Sequence, residues 1–372
     1  MRDYTKLYIA GEWVSPLGGR VVDVVNPATE KAAGQITMAT AADVDRAVAA
    51  ARAAFVTFSR SSRAERLALL SSILGVYWKR SRDLAEALTE DLGAPRKFAE
   101  ETQVGVGFLH LQTAIAALEH YAFEHPQGPR TTVRREPIGV VGMITPWNWP
   151  INQIIVKVVP ALATGCTIVH KPSEIAPFTA HVLAEIFHEA GVPKGVYNLI
   201  DGDGPTVGVA ISSHPDINMV SFTGSTAAGV DVAKRAADNV KRVHTELGGK
   251  SPFIVLDDAD LATAVARNIY RLMLNSGQTC HAPTRLLVPR DKMEAAKAIA
   301  KKIAESITVG DPKTDVYMGP VVSERQWNRI ESLIESGIEE GAKLVTGGAG
   351  RPEASRPGST SNRRCSAMCA TT

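Results

Sequence analysis

The chain has 372 residues, 45% hydrophobic and 22% charged, with a net charge of +2, which is length for two or three domains and enough apolar material for a sizeable core. The positive excess lies in residues 351–372, whose four arginines and one glutamate carry +3 and leave the rest at −1, so no basic stripe supports nucleic-acid binding and a small polar substrate is the better expectation. The opening Met1-Arg2-Asp3-Tyr4-Thr5-Lys6 lacks an apolar stretch, and the apolar run Ile154 to Ala163 is broken by Lys157 and Pro160, so neither a signal peptide nor a membrane span is expected.

Residues 7–25 read as short strands around Gly11, Gly18 and Gly19, followed by helical periodicity over Ala41 to Phe58 and Arg63 to Leu92, with capping-type Thr40 and Ser61/Ser62 in front. Between Pro126 and Val140 the polar stretch Gly128 to Pro137 predicts an exposed two-stranded ribbon, too small to be stable alone. From Ile138 the pattern alternates: strands at Val140 to Ile144, Thr167 to His170, Val196 to Ile200 and Ile217 to Phe222, and helices at Ile151 to Ala163, Phe178 to Glu189, Thr206 to Ser212 and Ala227 to Asn239. Such alternation predicts an α/β fold with a doubly wound, mostly parallel sheet, whose ligands bind at the carboxyl ends of its strands. From Pro252 a second α/β unit is expected, with strands Phe253 to Leu256 and Arg285 to Val288 and helices Ala262 to Leu274, Lys292 to Ser306 and Glu324 to Gly341.

Cys280 sits in this second unit, in a small-polar loop (Asn275-Ser276-Gly277-Gln278-Thr279) between a helix and a strand. A thiol on a connection held by rigid elements is placed to react, although an inert cysteine at a loop edge has the same local sequence. Cys166, Cys280, Cys365 and Cys369 are too few for a disulfide scaffold and fit a reducing cytoplasm, with no metal set around the last two.

The strand ends carry the other candidates. Gly224-Ser225-Thr226 opens a helix and can present backbone N–H groups to a pyrophosphate. Lys171 and Glu174 have the spacing to hold the two ribose hydroxyls of an adenosine, Glu174 also repelling a 2′-phosphate, which favours NAD over NADP. Their ordinary readings are a solvated lysine and, at Ser173, a helix N-cap. Glu246, before Gly248-Gly249, is either a surface carboxylate or a general base whose pKa apolar surroundings would raise. Asn148, between Trp147 and Trp149 in a proline-flanked turn, is either an ordinary turn residue or an amide donor for an oxyanion.

Together, Pro146-Trp147-Asn148-Trp149-Pro150, Lys171-Pro172-Ser173-Glu174, Phe222-Thr223-Gly224-Ser225-Thr226, Glu246-Leu247-Gly248-Gly249-Lys250-Ser251-Pro252 and Gly277-Gln278-Thr279-Cys280, in this order, resemble the aldehyde dehydrogenase superfamily, from about Tyr8 to Gly350. Met318-Gly319-Pro320-Val321-Val322-Ser323 and Glu340-Gly341-Ala342-Lys343 continue the resemblance. It implies Cys280 as nucleophile, Glu246 as general base and Asn148 as oxyanion donor with the Cys280 backbone N–H. For NAD it implies contacts from Ile144, Thr145, Pro146, Trp147, Lys171, Ser173, Glu174, Gly204, Gly224, Ser225 and Leu247. The reaction implied is oxidation of an aldehyde to the acid through a thiohemiacetal and thioester, Glu246 arguing against the CoA-acylating branch. The domains implied are NAD-binding over 1–125 and 138–247, an oligomerisation ribbon over 126–137 and a catalytic domain over 248–350, in a cytoplasmic homo-oligomer with no nucleic-acid or membrane partner.

Residues 351–372 contain no Val, Ile, Leu or aromatic side chain and depart from the family, which continues with strands and a Glu-x-Phe-Gly-Pro motif. The expectation is an incomplete catalytic domain and a disordered tail that forms no packed strand, produced by a shift of reading frame near Glu353. Two rival readings accompany it: an inactive remnant that at most binds NAD, and a thiol esterase using Cys280 and Glu246 without nicotinamide.

Overall fold

Five parallel strands form the centre of a sheet in the order Arg242–Leu247, Met219–Gly224, Val140–Ile144, Thr167–Lys171, Tyr197–Leu199, extended by Leu7–Ile9 and Glu12–Val14 as antiparallel neighbours. The computed structural model describes residues 1–350 and 367–370. Every residue of Val140–Ile144 and of Thr167–Lys171 is buried, the condition of a parallel strand covered on both faces. From Val140–Ile144 the chain winds outward through Thr167–Lys171 and Tyr197–Leu199, then returns to place Met219–Gly224 on the other side of its starting strand. That reversal creates a crevice at the strand ends.

The crossover helices start and stop on local signals. Pro150–Thr164 begins with its proline, where the missing N–H costs nothing, and ends at Gly165 in the left-handed region (φ 83°). Thr226–Ala237 is capped by the Ser225 hydroxyl, which accepts from Ala228 N–H at 3.3 Å. Ala41–Phe58 begins in a capping box, Asp43 accepting from both Thr40 N–H and Oγ1.

Several elements differ from the sequence reading. The single helix expected over Arg63 to Leu92 is two, Arg63–Lys79 and Ser81–Asp91. Arg80 leaves the helical region at the break (φ −98°, ψ 11°) and its guanidinium pairs with Asp83, Glu185 and Glu189. The helix Gly105–His120 was not anticipated, because its glycines depress helix propensity; Gly107 is needed there, since a side chain would collide with Tyr77 and Ile151. Arg242–Leu247 was missed as well, being an edge strand with five exposed positions out of six and hence no apolar run.

The first unit comprises Met1–Val24, Ala32–Leu88 and Glu100–Leu247. Within it Glu124–Pro126 and Thr132–Arg134 pair as an antiparallel ribbon, beginning earlier than the 126–137 expected from sequence. The second unit comprises Val25–Lys31, Thr89–Ala99 and the chain from Gly248, so two short segments assigned from sequence to the first domain belong to the second by packing. Contacts explain part of this: a side chain at Gly93 would meet Pro320 Cγ at 2.6 Å and Pro27 Cγ at 2.9 Å.

In the second unit Pro252–Ile254 and Arg285–Leu287 pair in parallel. Val265, Ile269 and Met273, spaced by four on the helix Leu261–Met273, share a core with Ala296 and Ala300 of the helix Met293–Ser306. The helix Glu324–Glu339 and the strand Lys343–Gly347 follow. Ala367–Ala370 pairs antiparallel with Lys343–Gly347 through its backbone, and such pairing needs no apolar side chains. The rest of the tail expected to be disordered lies outside the described residues.

Candidate active site

The loop that carries Cys280 is built from backbone that most residues avoid. Asn275 (φ 53°), Ser276 (φ 57°) and Gly277 (φ 75°) are three consecutive left-handed residues, and for the two with side chains this costs about 1–2 kcal/mol each. Side-chain bonds hold them there. Asn275 Nδ2 donates to Gln278 O at 3.3 Å, and Gln278 Nε2 donates back to Asn275 O at 3.0 Å. Gln278 Oε1 accepts from Val322 N–H at 2.9 Å, and Ser276 Oγ donates to Gly319 O at 2.9 Å. Gly249 N–H donates to Cys280 O at 3.1 Å. The run Gly319 to Val322, which the sequence offered only as a further point of resemblance, is thus the clamp on the thiol loop. Cys280 is a free, half-buried cysteine whose Sγ lies 3.7 Å from His281 Nδ1; His281 was not singled out in the sequence.

The remaining candidates belong to the first unit. Register places Ile144 beside Phe222 on one side and Lys171 on the other, and Gly224 beside Leu247, so the predicted residues gather at one end of the sheet. Ile144 is in the core. Leu247 is partly buried against the same core, and a side chain on Gly229 would meet Leu247 Cδ2 at 2.7 Å. Pro146, Trp147 and Asn148 are half-buried in the turn that follows. Lys171, buried, donates to Pro172 O at 2.7 Å and to Glu174 Oε2 at 3.3 Å. Ser173 does not cap a helix, which starts only at Phe178; its hydroxyl accepts from Ile175 N–H at 3.3 Å.

Two backbone segments at this end are open to solvent. Residues 225–228, the first turn of the Thr226–Ala237 helix, are exposed, and nothing lies within 4 Å of where a side chain on Gly204 would project. Behind them runs a buried chain of hydrogen bonds not anticipated from sequence: Thr145 Oγ1 to His170 Nε2 at 2.8 Å, and His170 Nδ1 to Tyr197 Oη at 2.8 Å. Burial drives the His170 pKa down to about 3, with Lys171 and Lys157 adding to the effect, so this imidazole stays neutral and fixes two neighbouring strand ends.

Glu246 does not sit among apolar groups as its sequence neighbours suggested. Its side chain is 61% exposed, with Oε1 3.1 Å from His244 Nε2. Both line one wall of a cavity of about 480 Å³ whose other wall is the Pro150–Thr164 helix, with Lys157 and Ser221 inside. Asn148, Glu246 and the strand-end residues are therefore on the first unit, and Cys280 on the second. Among the described residues no helix is long and apolar enough to cross a membrane.

The first unit is a doubly wound α/β sheet, a fold whose ligands bind at the carboxyl ends of its strands, and the second unit presents a clamped thiol. Residues 13–361 match the model of the aldehyde dehydrogenase family, and the chain belongs to that family. A 3-succinoylsemialdehyde-pyridine dehydrogenase from a Pseudomonas species is 51% identical over 355 residues, covering 95% of this chain and 74% of that protein. Among solved structures, an aldehyde dehydrogenase from Bartonella henselae is 44% identical with a TM-score of 0.96, covering 100% of this chain and 78% of that one. A cysteine-to-alanine mutant of aldehyde dehydrogenase C from Pseudomonas syringae, complexed with NAD+ and octanal, is 45% identical with a TM-score of 0.95, covering 98% and 75%.

Proposed function

We propose that this protein oxidises an aldehyde to its carboxylic acid with NAD+, Cys280 acting as nucleophile. The observation that carries the reading is the Cys280 loop: strained backbone held by Gln278 and Ser276 against Val322 and Gly319 is expected where a reactive group must be presented in one orientation. The dinucleotide would lie across the strand ends, its phosphates at Gly224, Ser225 and Gly204 and its ribose at Lys171 and Glu174, with Ile144, Thr145, Pro146, Trp147, Ser173 and Leu247 lining its path. The open backbone at 225–228 and at Gly204 fits such a ligand.

The Cys280 thiolate adds to the aldehyde carbon, and the oxygen that becomes an alkoxide is stabilised by the Asn148 amide and the Cys280 backbone N–H, each donor contributing on the order of 3 kcal/mol. NAD+, when bound, supplies the hydride acceptor that turns this adduct into a thioester. Glu246 then takes a proton from water, which attacks the thioester and frees the acid and Cys280. The ribbon Glu124–Pro126 with Thr132–Arg134 serves assembly with further copies in the cytoplasm. The test is NADH formation by the chain over a panel of aliphatic and aromatic aldehydes, with Cys280→Ala as control. NAD-dependent turnover that this substitution abolishes is expected; ester hydrolysis without NADH would replace the reading with a thiol esterase, and tight NAD binding without turnover with a remnant.

A further inference from the structure

The reaction above leaves one proton without an acceptor: a thiol must lose its own before it can attack, and Glu246 serves the water of the second step. Residues 279–282 form a turn closed by Ala282 N–H donating to Thr279 O at 3.1 Å, with Cys280 and His281 at its two corners. In extended backbone their side chains would point to opposite faces. At this turn they meet, Cys280 Sγ lying 3.7 Å from His281 Nδ1. Backbone bonds hold the pair on both sides, Gly249 N–H donating to Cys280 O at 3.1 Å and Thr284 N–H donating to the carbonyl of buried Ala282 at 2.8 Å. Among the described residues the His281 ring has no hydrogen-bond partner besides Sγ. We infer that His281 is the proton acceptor that converts the Cys280 thiol into the attacking thiolate, an inference that rests on the dehydrogenase reading.

The chemistry balances without any further reagent. A neutral imidazole with its proton on Nε2 offers the Nδ1 lone pair to the thiol. An N–H bond forms, the S–H bond breaks, and its electron pair stays on sulfur as the thiolate that adds to the aldehyde carbon. When hydrolysis of the thioester frees the thiolate, the imidazolium returns the proton and both groups are restored. A thiol left to solvent is only about 3% thiolate at neutral pH, and an imidazole beside it raises that fraction. The surrounding segments of the second unit contain no rival acceptor. Residues 275–285, the pair 249–250 and the clamp 319–322 hold no aspartate or glutamate, and their charged side chains, Lys250 and Arg285, are cations. Arg285 Nε is itself engaged, donating to Lys250 O at 2.8 Å. His281 is exposed, so water solvates its imidazolium form.

The experiment treats the full chain with iodoacetamide, without NAD or aldehyde, and follows alkylation of the peptide containing Cys280 by mass spectrometry. His281→Ala, checked for an unchanged thermal midpoint, is expected to react about tenfold more slowly than the parent at neutral pH. That deficit should vanish at about pH 9.5, where thiols ionise without help. His281→Asn, whose amide can accept a hydrogen bond but not a proton, should be as slow as His281→Ala, and added imidazole should restore much of the rate to His281→Ala. The parental rate in either variant at neutral pH overturns the proposal. A deficit of the same size at both pH values also overturns it, because His281 would then only shape the turn. The assay involves neither nicotinamide nor hydride transfer, so its failure and failure of the dehydrogenase reading are separate results.

Discussion

Gln278 Oε1 accepts a hydrogen bond from Val322 N–H at 2.9 Å across 44 residues of chain. Through this bond a turn far away in sequence fixes the loop that ends in Cys280, and the same side chain donates to Asn275 O at 3.0 Å. A left-handed triplet is stable only while such bonds over-determine it.

Gln278→Ala is therefore expected to leave Val322 N–H without its partner and to cost about 1–3 kcal/mol of stability. It should also lower turnover per folded molecule on the order of a hundredfold, as displacement of a reacting group by about 1 Å does. Thermal melts and steady-state rates on the same preparation check both. A stable variant with parental turnover would show that the clamp does not position the thiol.

His170 predicts an acid limb in stability. Its folded pKa of about 3 lies below its ordinary value of 6.5, so between these values the unfolded chain binds a proton that the folded chain does not. The contribution is fully present above pH 6.5 and is lost as pH falls toward 3. His170→Gln should flatten the fall of the melting temperature between pH 7 and pH 4; parallel curves for parent and variant would contradict the assignment.

Glu174 is the proposed discriminator between the two nicotinamide dinucleotides. Its carboxylate stands 3.3 Å from Lys171 Nζ, so removing it deletes a repulsive charge and frees an ammonium for a 2′-phosphate. Glu174→Ser is expected to raise the ratio of kcat/KM for NADP+ over NAD+ about tenfold or more, corresponding to about 1.4 kcal/mol. An unchanged ratio would remove Glu174 from that role.

How much of this was legible in the sequence depends on which forces each residue answers to. Val140–Ile144 could be read because burial on both faces demands a continuous apolar run. Arg242–Leu247 could not, since an exposed edge strand is under no such demand. Gly107 misled in the opposite sense: a residue unfavourable in an isolated helix is required where that helix meets Tyr77 and Ile151. At the site, Asn275-Ser276-Gly277 signalled a break in the helix, whereas the bond from Val322 depends on tertiary placement that local sequence does not encode. Lys157 read only as an interruption in an apolar run, yet a lone lysine on the inward face of such a helix was the one available sign of a buried amine.

Glu246→Gln provides the most direct test of the central claim, that Cys280 forms the covalent intermediate. Mixed with NAD+ and a substrate aldehyde, this variant is expected to form NADH in about one equivalent per site and then stall, with the acyl group found by mass spectrometry on the peptide containing Cys280. NADH formation with Cys280 unmodified, or with the acyl group on another residue, would contradict the account.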